Sequence, residues 1–249
     1  MLRLYEHDCL EVWEPKWNRG VYLSYQFRLR WYQKFLPNRS IRVFEAGCAQ
    51  ATLGLTLAER GHTVLAVDIR EEFIRYATQR FSHGAIKFQR ANLSTAHLEG
   101  PHDLIYLNQV LEHVTNPQTM LTNLSKVLDR DGQILITTPN HSYVRNVLPT
   151  FSQFLNVSDA SAVSNTADGE DHVFAYTLQE LSRICQRSGL KIIQAGFYES
   201  PFLSGHAKFR SINRFIPAVL LGLLEETICT LPGIRKFLCY QLYILAAKD

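Results

Sequence analysis

From residue 41 onward, short apolar runs alternate with stretches whose apolar residues recur every three to four positions. Residues 41–45, 63–67, 86–89, 103–107, 133–137, 191–197 and 240–247 read as strands. Residues 52–60 and 71–81 read as helices, as do the stretches opened by Asn116-Pro117 and by Thr177. The ends carry their own signals. Gly61 and Gly189 supply left-handed stops, Asn116 caps a helix with Pro117 at its first position, and Thr177-x-x-Glu180 forms a capping box. Asp131-Gly132 is expected to turn the chain into the strand at 133–137. Strands and helices in strict alternation predict an α/β fold, a mostly parallel sheet covered by helices on both faces.

Two stretches break the alternation. Residues 156–171 (NVSDASAVSNTADGED) are polar, and a loop of this kind is either a disordered insertion or an active-site lid; a lid that closes on ligand is expected here. Residues 200–237 are rich in Leu, Ile and Phe and punctuated by Pro201, Pro217 and Pro232. They predict two or three short helices, too few to bury a core alone and therefore a cap on the main domain. The expected organisation is an N-terminal helical segment at 1–40, a core at 41–199, a helical cap insertion at 200–237, and the last core strand at 238–249.

Composition narrows the function classes. The 249 residues are 46% hydrophobic and 20% charged, which suits a packed domain and excludes wholesale disorder. The net charge is +3, from 26 Lys+Arg against 23 Asp+Glu, and the excess lies entirely after residue 205. Proteins that grip nucleic acid carry a stronger basic footprint, so no nucleic-acid partner is expected. The five cysteines are scattered and form no C-x-x-C pair, which predicts free thiols and no metal site. The N-terminal acids and tryptophans do not make a leader peptide, and no apolar run reaches the roughly 20 residues of a membrane span. A soluble, cytoplasmic protein is expected, with a homodimer as a possible assembly.

The chemistry concentrates at the first strand–turn–helix. Glu45-Ala46-Gly47-Cys48-Ala49-Gln50-Ala51 is a turn of small residues, which lets backbone approach a nucleotide-like ligand closely. Asp68 ends the second strand, where a carboxylate accepts hydrogen bonds from both hydroxyls of a ribose. The G-x-G-x-x-G of a dinucleotide site is absent, and an acid at position 45 repels a pyrophosphate while attracting an ammonium. This combination resembles motif I, [DE]-x-G-x-G-x-G, of the class I S-adenosylmethionine (SAM) methyltransferases. HDLIYLNQVLEHV (102–114) resembles that family's fourth-strand motif, and KVLDRDGQILITTPN (126–140) its fifth. The Thr-Pro-Asn ending and Arg28-Leu29 upstream resemble the subgroup of ubiquinone-biosynthesis O-methyltransferases and related small-molecule enzymes. The likeness covers roughly residues 40–200. The chain departs from motif I at Ala49 and Ala51, where the family has glycine, and carries Asn92 where an acid is usual.

The resemblance implies a Rossmann-like sheet of seven strands and SAM as cofactor. It implies a donor site made of Arg28, Glu45, Gly47, Cys48, Ala49, Asp68, Ile69, Asn92, Leu93, Asn108, Gln109 and His113. Arg28 would bind the SAM carboxylate, Glu45 its ammonium, Asp68 the ribose, and Asn92 the adenine amino group. His141 follows the fifth strand and His172 the polar loop, both at the carboxyl side of the sheet, and they are the candidate general bases for an O- or N-methylation of a small molecule. Glu112-His113 is explained equally by packing and by substrate contact. A macromolecule methyltransferase and a non-catalytic methyltransferase-like subunit are the alternatives. The near-neutral charge and the absence of [DNS]-P-P-[YF] after the fourth strand count against the first, whereas Ala49 and Ala51 suggest the second.

Overall fold

A seven-stranded sheet carries the chain. Its strands are β1 (Arg42–Ala46), β2 (Thr63–Asp68), β3 (Ala85–Arg90), β4 (His102–Asn108), β5 (Leu128–Pro139), β6 (Leu190–Tyr198) and β7 (Gln241–Lys248), in the order β3-β2-β1-β4-β5-β7-β6. The helices are α1 (Arg19–Gln33), α2 (Thr52–Glu59), α3 (Glu71–Arg80), α4 (Pro117–Lys126), α5 (Phe151–Val157), α6 (Leu178–Arg187), α7 (Pro201–Ser204), α8 (Ala218–Thr230) and α9 (Arg235–Leu238), with a 3₁₀ turn at Leu111–His113. This computed structural model describes residues 9–10, 12–17, 19–157, 172, 174–204 and 215–249.

The pairs β2–β3, β1–β2, β1–β4 and β4–β5 are parallel. Both β1 and β2 are buried after their first residue, as strands covered on two faces must be. Between β1 and β4 the strand order reverses direction, so their connections leave on opposite sides and open a crevice at their carboxyl ends. Open α/β sheets bind ligands at such a switch point.

The helix-end signals behave as their chemistry requires. Asn116 accepts the Thr119 N–H with Pro117 at the first helical position. Thr177 and Glu180 form the full capping box, and Gly61 and Gly189 take positive φ. The Asp131-Gly132 turn is different. β5 already begins at Leu128, and opposite β4 its register jumps from Leu128 at His102 to Gln133 at Leu104. Asp131-Gly132 therefore lies inside a bulged strand instead of preceding it. A Cβ on Gly132 would sit 2.7 Å from the His102 carbonyl oxygen, which explains a glycine there.

The chain divides into two compact units. One comprises Met1–Arg39 and Phe197–Gln241, the other Ser40–Gly196 and Leu242–Asp249. The apolar insertion is thus grouped with the N-terminal segment. Residues 158–171, on which the expected lid falls, lie outside the described residues. Among the described residues no helix is long and apolar enough to cross a membrane.

Candidate active site

The turn after β1 is built on left-handed backbone. Gly47 has φ +74°, Ala49 +44° and Ala51 +55°. The alanines therefore do not abolish the turn; they adopt the conformation that glycine takes without strain, each at a cost of order 1–3 kcal/mol. Surrounding contacts hold them there. The N–H groups of Gly47 and Cys48 both donate to the Val67 carbonyl, at 2.8 and 2.9 Å, and the Ala51 N–H donates to the Cys48 carbonyl at 2.7 Å. Glycine is needed at position 47 for a second reason, because a Cβ there would collide with the Val110 side chain.

Asp68 ties this turn to the end of β2. Its Oδ2 accepts the Ala49 N–H at 2.9 Å and its Oδ1 accepts the Arg70 N–H at 2.9 Å. The residue is only 5% exposed. The Oδ1 also faces the Arg70 Nε at 3.5 Å, while the Oδ2 keeps a further lone pair that a ligand hydroxyl can use. Ile69, beside it, is 42% exposed and offers an apolar surface. A tight small-residue turn, a buried acceptor and an exposed aliphatic side chain fit a SAM-like nucleoside.

Several expected donor-site residues are placed differently from the expectation. The Glu45 carboxyl turns toward the start of α2, where its Oε2 accepts the Gly54 N–H at 2.8 Å. Burial pushes its pKa up to about 8, with Asp68 nearby adding to the rise. A Cβ on Gly54 would meet that oxygen at 2.5 Å, so glycine at position 54 leaves room for the acid. The Cys48 side chain packs in an apolar cluster with Ala51, Ala66 and Ala77, and burial raises its thiol pKa well above the usual value. Its Sγ lies 3.6 Å from the Ala49 carbonyl oxygen of the turn. Leu93 is buried. The Asn92 Oδ1 already accepts the Ser94 N–H at 2.9 Å, which leaves one lone pair for an adenine amino group.

Arg28 belongs to the other unit. Its Nε and Nη2 donate to the two oxygens of Glu199, at 2.8 and 2.6 Å, and Ser24 Oγ donates to Oε1 at 3.2 Å. Glu199 itself has φ +64° and a carboxyl 2% exposed. The bidentate partner of this guanidinium is thus a protein carboxylate.

Past β4 the chain builds a second group. Asn108 Oδ1 accepts from Thr137 Oγ1 at 3.3 Å, and the Gln109 side chain donates to that hydroxyl at 3.3 Å. Gln109 takes φ +54°, and the 3₁₀ turn that follows presents Glu112 and His113 side by side. Glu112 is fully buried; its Oε2 accepts from Thr138 Oγ1 at 3.1 Å. His172 brings its Nε2 to 3.6 Å from the Glu112 Oε1. The His113 and His172 rings stand 5.2 Å apart, edge to face. Burial raises the Glu112 carboxyl pKa to about 8 and, with the nearby His172 and Arg70, lowers that of His113 to about 4. Because Val110 packs on Gly47, this group starts at the rim of the donor turn.

That cluster gathers three side chains of metal-ligating type. Donor atoms of Glu112, His113 and His172 all lie within 4.8 Å of one another. Spacing along the chain gave no such signal, because the fold brings His172 back from far downstream. His141 stands apart from the group. Its N–H donates to the Tyr176 carbonyl at 3.0 Å, and its Nδ1 lies 3.2 Å from the Asn146 amide nitrogen. An amide NH₂ can only donate, so the Nδ1 lone pair is occupied and the ring proton sits on Nε2.

These features match known proteins. A family model described as "Methyltransferase domain" matches residues 21–195. The chain is 22% identical over 204 residues to a ubiquinone biosynthesis O-methyltransferase of Azoarcus sp. (strain BH72), covering 78% of this chain and 84% of that protein. The corresponding protein of Coxiella burnetii (strain Dugway 5J108-111) is 25% identical over 167 residues, covering 59% and 71%. A SAM-dependent methyltransferase structure from Mesorhizobium loti superposes with a TM-score of 0.59 at 20% identity, covering 90% of this chain and 97% of that one. Magnesium protoporphyrin IX methyltransferase of Synechocystis PCC 6803, with bound S-adenosylhomocysteine (SAH), gives 0.57 at 16%, covering 93% and 86%. The chain belongs to the methyltransferase-domain family, and its fold is that of the class I SAM-dependent methyltransferases.

Proposed function

We propose that the protein transfers the methyl group of SAM to an oxygen or nitrogen atom of a small-molecule acceptor, a phenol or quinol before a sugar-like or other secondary metabolite. The observation that carries this reading is Asp68, buried at the switch point and bonded to the left-handed turn through the Ala49 N–H. That pairing presents an acceptor lone pair and approachable backbone to one ligand. The names of the ubiquinone-biosynthesis relatives favour a hydroxyl on an aromatic ring. Near-even charge counts against a nucleic-acid acceptor. Ala49 and Ala51 keep the left-handed backbone that glycine would take, which favours a donor-binding turn over a non-catalytic subunit.

When bound, SAM supplies an electrophilic methyl on a sulfonium centre. The protein's own work is then placement. Asp68, Ile69, Asn92 and the turn 47–51 hold the nucleoside, and the acceptor's nucleophile must be held opposite the departing sulfur. A hydroxyl must also lose a proton. His172 is the base in this reading, because it stands beside the donor turn with its Nε2 3.6 Å from the Glu112 Oε1 and its side chain partly open to solvent. His141, with its Nδ1 lone pair engaged by Asn146, is the poorer candidate. Incubation with SAM and a panel of phenols, quinols, sugars and amines, followed by mass spectrometry, tests the reading. A product heavier by one methyl and equimolar SAH support it. No product from any acceptor, with SAH bound normally, moves the reading to a macromolecular acceptor.

A further inference from the structure

We propose that Glu112, His113 and His172 form a binding site for one divalent transition-metal ion beside the methyl-donor turn. Two imidazoles and one carboxylate suit borderline ions such as Zn²⁺, Fe²⁺, Co²⁺ or Mn²⁺. Bonds of about 2.0–2.2 Å place neighbouring ligand atoms about 3–3.5 Å apart. The three donor atoms here lie within 4.8 Å of one another, and the closest measured pair, His172 Nε2 and Glu112 Oε1, is at 3.6 Å. Small side-chain movements therefore close the set on an ion.

Independent features point the same way. The His113 Nδ1 is buried and, among the described residues, has no hydrogen-bond partner, a costly state that a ligand would relieve. The Glu112 carboxylate is aimed by an outer contact, with Thr138 Oγ1 on Oε2 leaving Oε1 toward His172. Metal-ligating carboxylates are typically held in this way. The Tyr176 hydroxyl donates to the Leu111 carbonyl at 3.1 Å and fixes the 3₁₀ turn that presents both ligands. His172 is 28% exposed at its side chain, so the site opens to solvent on that ligand's side.

Three protein ligands leave positions open. An acceptor with two adjacent oxygens, such as a catechol or another vicinal diol, would chelate there, and the cation would acidify the bound hydroxyl. This acceptor class rests on the methyl-transfer reading; the ion site does not. An imidazole that ligates the ion has no lone pair to give, so the base role of His172 belongs to the ion-free enzyme.

Co²⁺ titration of chelator-stripped protein, followed by visible absorption and calorimetry, tests the site, with SAH binding measured in parallel on each sample. The wild type is expected to bind one equivalent with d–d absorption bands. His172→Ala and Glu112→Gln should bind Co²⁺ at least ~10-fold more weakly while SAH affinity stays within about threefold. His83→Ala, an exposed histidine elsewhere, should match the wild type for both. Absence of stoichiometric Co²⁺ binding, or equal affinity in wild type and His172→Ala, overturns the site while intact SAH binding leaves the methyltransferase reading standing. Loss of SAH binding with Co²⁺ retained has the opposite meaning.

Discussion

The backbone N–H of Ala49 donates to the Asp68 carboxylate at 2.9 Å, joining the first turn of the sheet to the end of its second strand. One residue thereby shapes the turn and, in the proposed reading, offers the ligand its acceptor. The strain of left-handed alanines is offset in part by this charge-assisted bond, which is stronger than a neutral one. The turn is thus pre-formed around an acid, and its geometry does not depend on the glycines that the family pattern would place there.

Substitutions at the two alanines test that geometry. Ala49→Gly relieves a positive φ and should leave SAH affinity unchanged or raise it, with stability altered by no more than about 1 kcal/mol. Ala51→Val places a β-branched residue at φ +55° in a fully buried site. It should cost about 1–3 kcal/mol and lower the thermal midpoint by several degrees. Calorimetric scanning reads both. A stabilised Ala51→Val protein would mean that the turn is not left-handed in solution.

The buried Glu45 predicts a pH dependence of known sign. Its folded pKa of about 8 lies above the ordinary 4.5, so the folded state holds a proton that the unfolded chain releases between those values. Its contribution is fully present below pH 4.5 and is lost as pH rises through 8. Glu45→Gln keeps an oxygen for the Gly54 N–H but carries no titrating proton. The variant should match the wild type near pH 5 and exceed it in stability near pH 8.5, by urea denaturation. A constant difference across that range would contradict the assignment.

The Arg28–Glu199 pair predicts a non-additive cycle. Arg28→Met leaves a carboxyl that is 2% exposed without its cation, which should cost about 3–5 kcal/mol. Arg28→Met with Glu199→Gln should recover much of that loss. If Arg28 served chiefly as a ligand group, the single variant would instead keep its stability and lose SAH affinity.

Catalysis separates the two histidines. With metal removed by chelator, His172→Ala should lower turnover by roughly 10²–10⁴, the usual worth of a general base, with SAH binding nearly unchanged. His141→Ala should have a smaller effect, since its Nδ1 is engaged by Asn146. Steady-state kinetics on the acceptor found by screening decide this. Full activity in both variants would remove base catalysis from the account and leave positioning alone.

Much of the frame was legible in the sequence because its signals are local. Gly61, the Asn116-Pro117 cap, the Thr177–Glu180 box and the apolar runs of the strands each act over a few residues. The position of Asp68 at the end of β2 was legible because the strand's apolar run stops at it. The Asp131-Gly132 bulge was not, since a turn signal inside a strand reads like one before it. Two site features depend on tertiary placement and escaped. Glu45 looked like a ligand-facing acid but turns to the Gly54 N–H, a choice made by packing. Glu112-His113 gained its meaning only when the fold brought back His172, and nothing in the spacing of the three residues announces that.

The central claim is that the turn 47–51 and Asp68 bind the methyl donor, and titration calorimetry with SAH measures it directly. The wild type should bind one equivalent in the micromolar range. Asp68→Ala, which removes a charged acceptor, should bind more weakly by about 1–3 kcal/mol, or roughly 5- to 150-fold in Kd. Equal binding by the two proteins would take Asp68 out of the donor site, and no binding by the folded wild type would contradict the account as a whole.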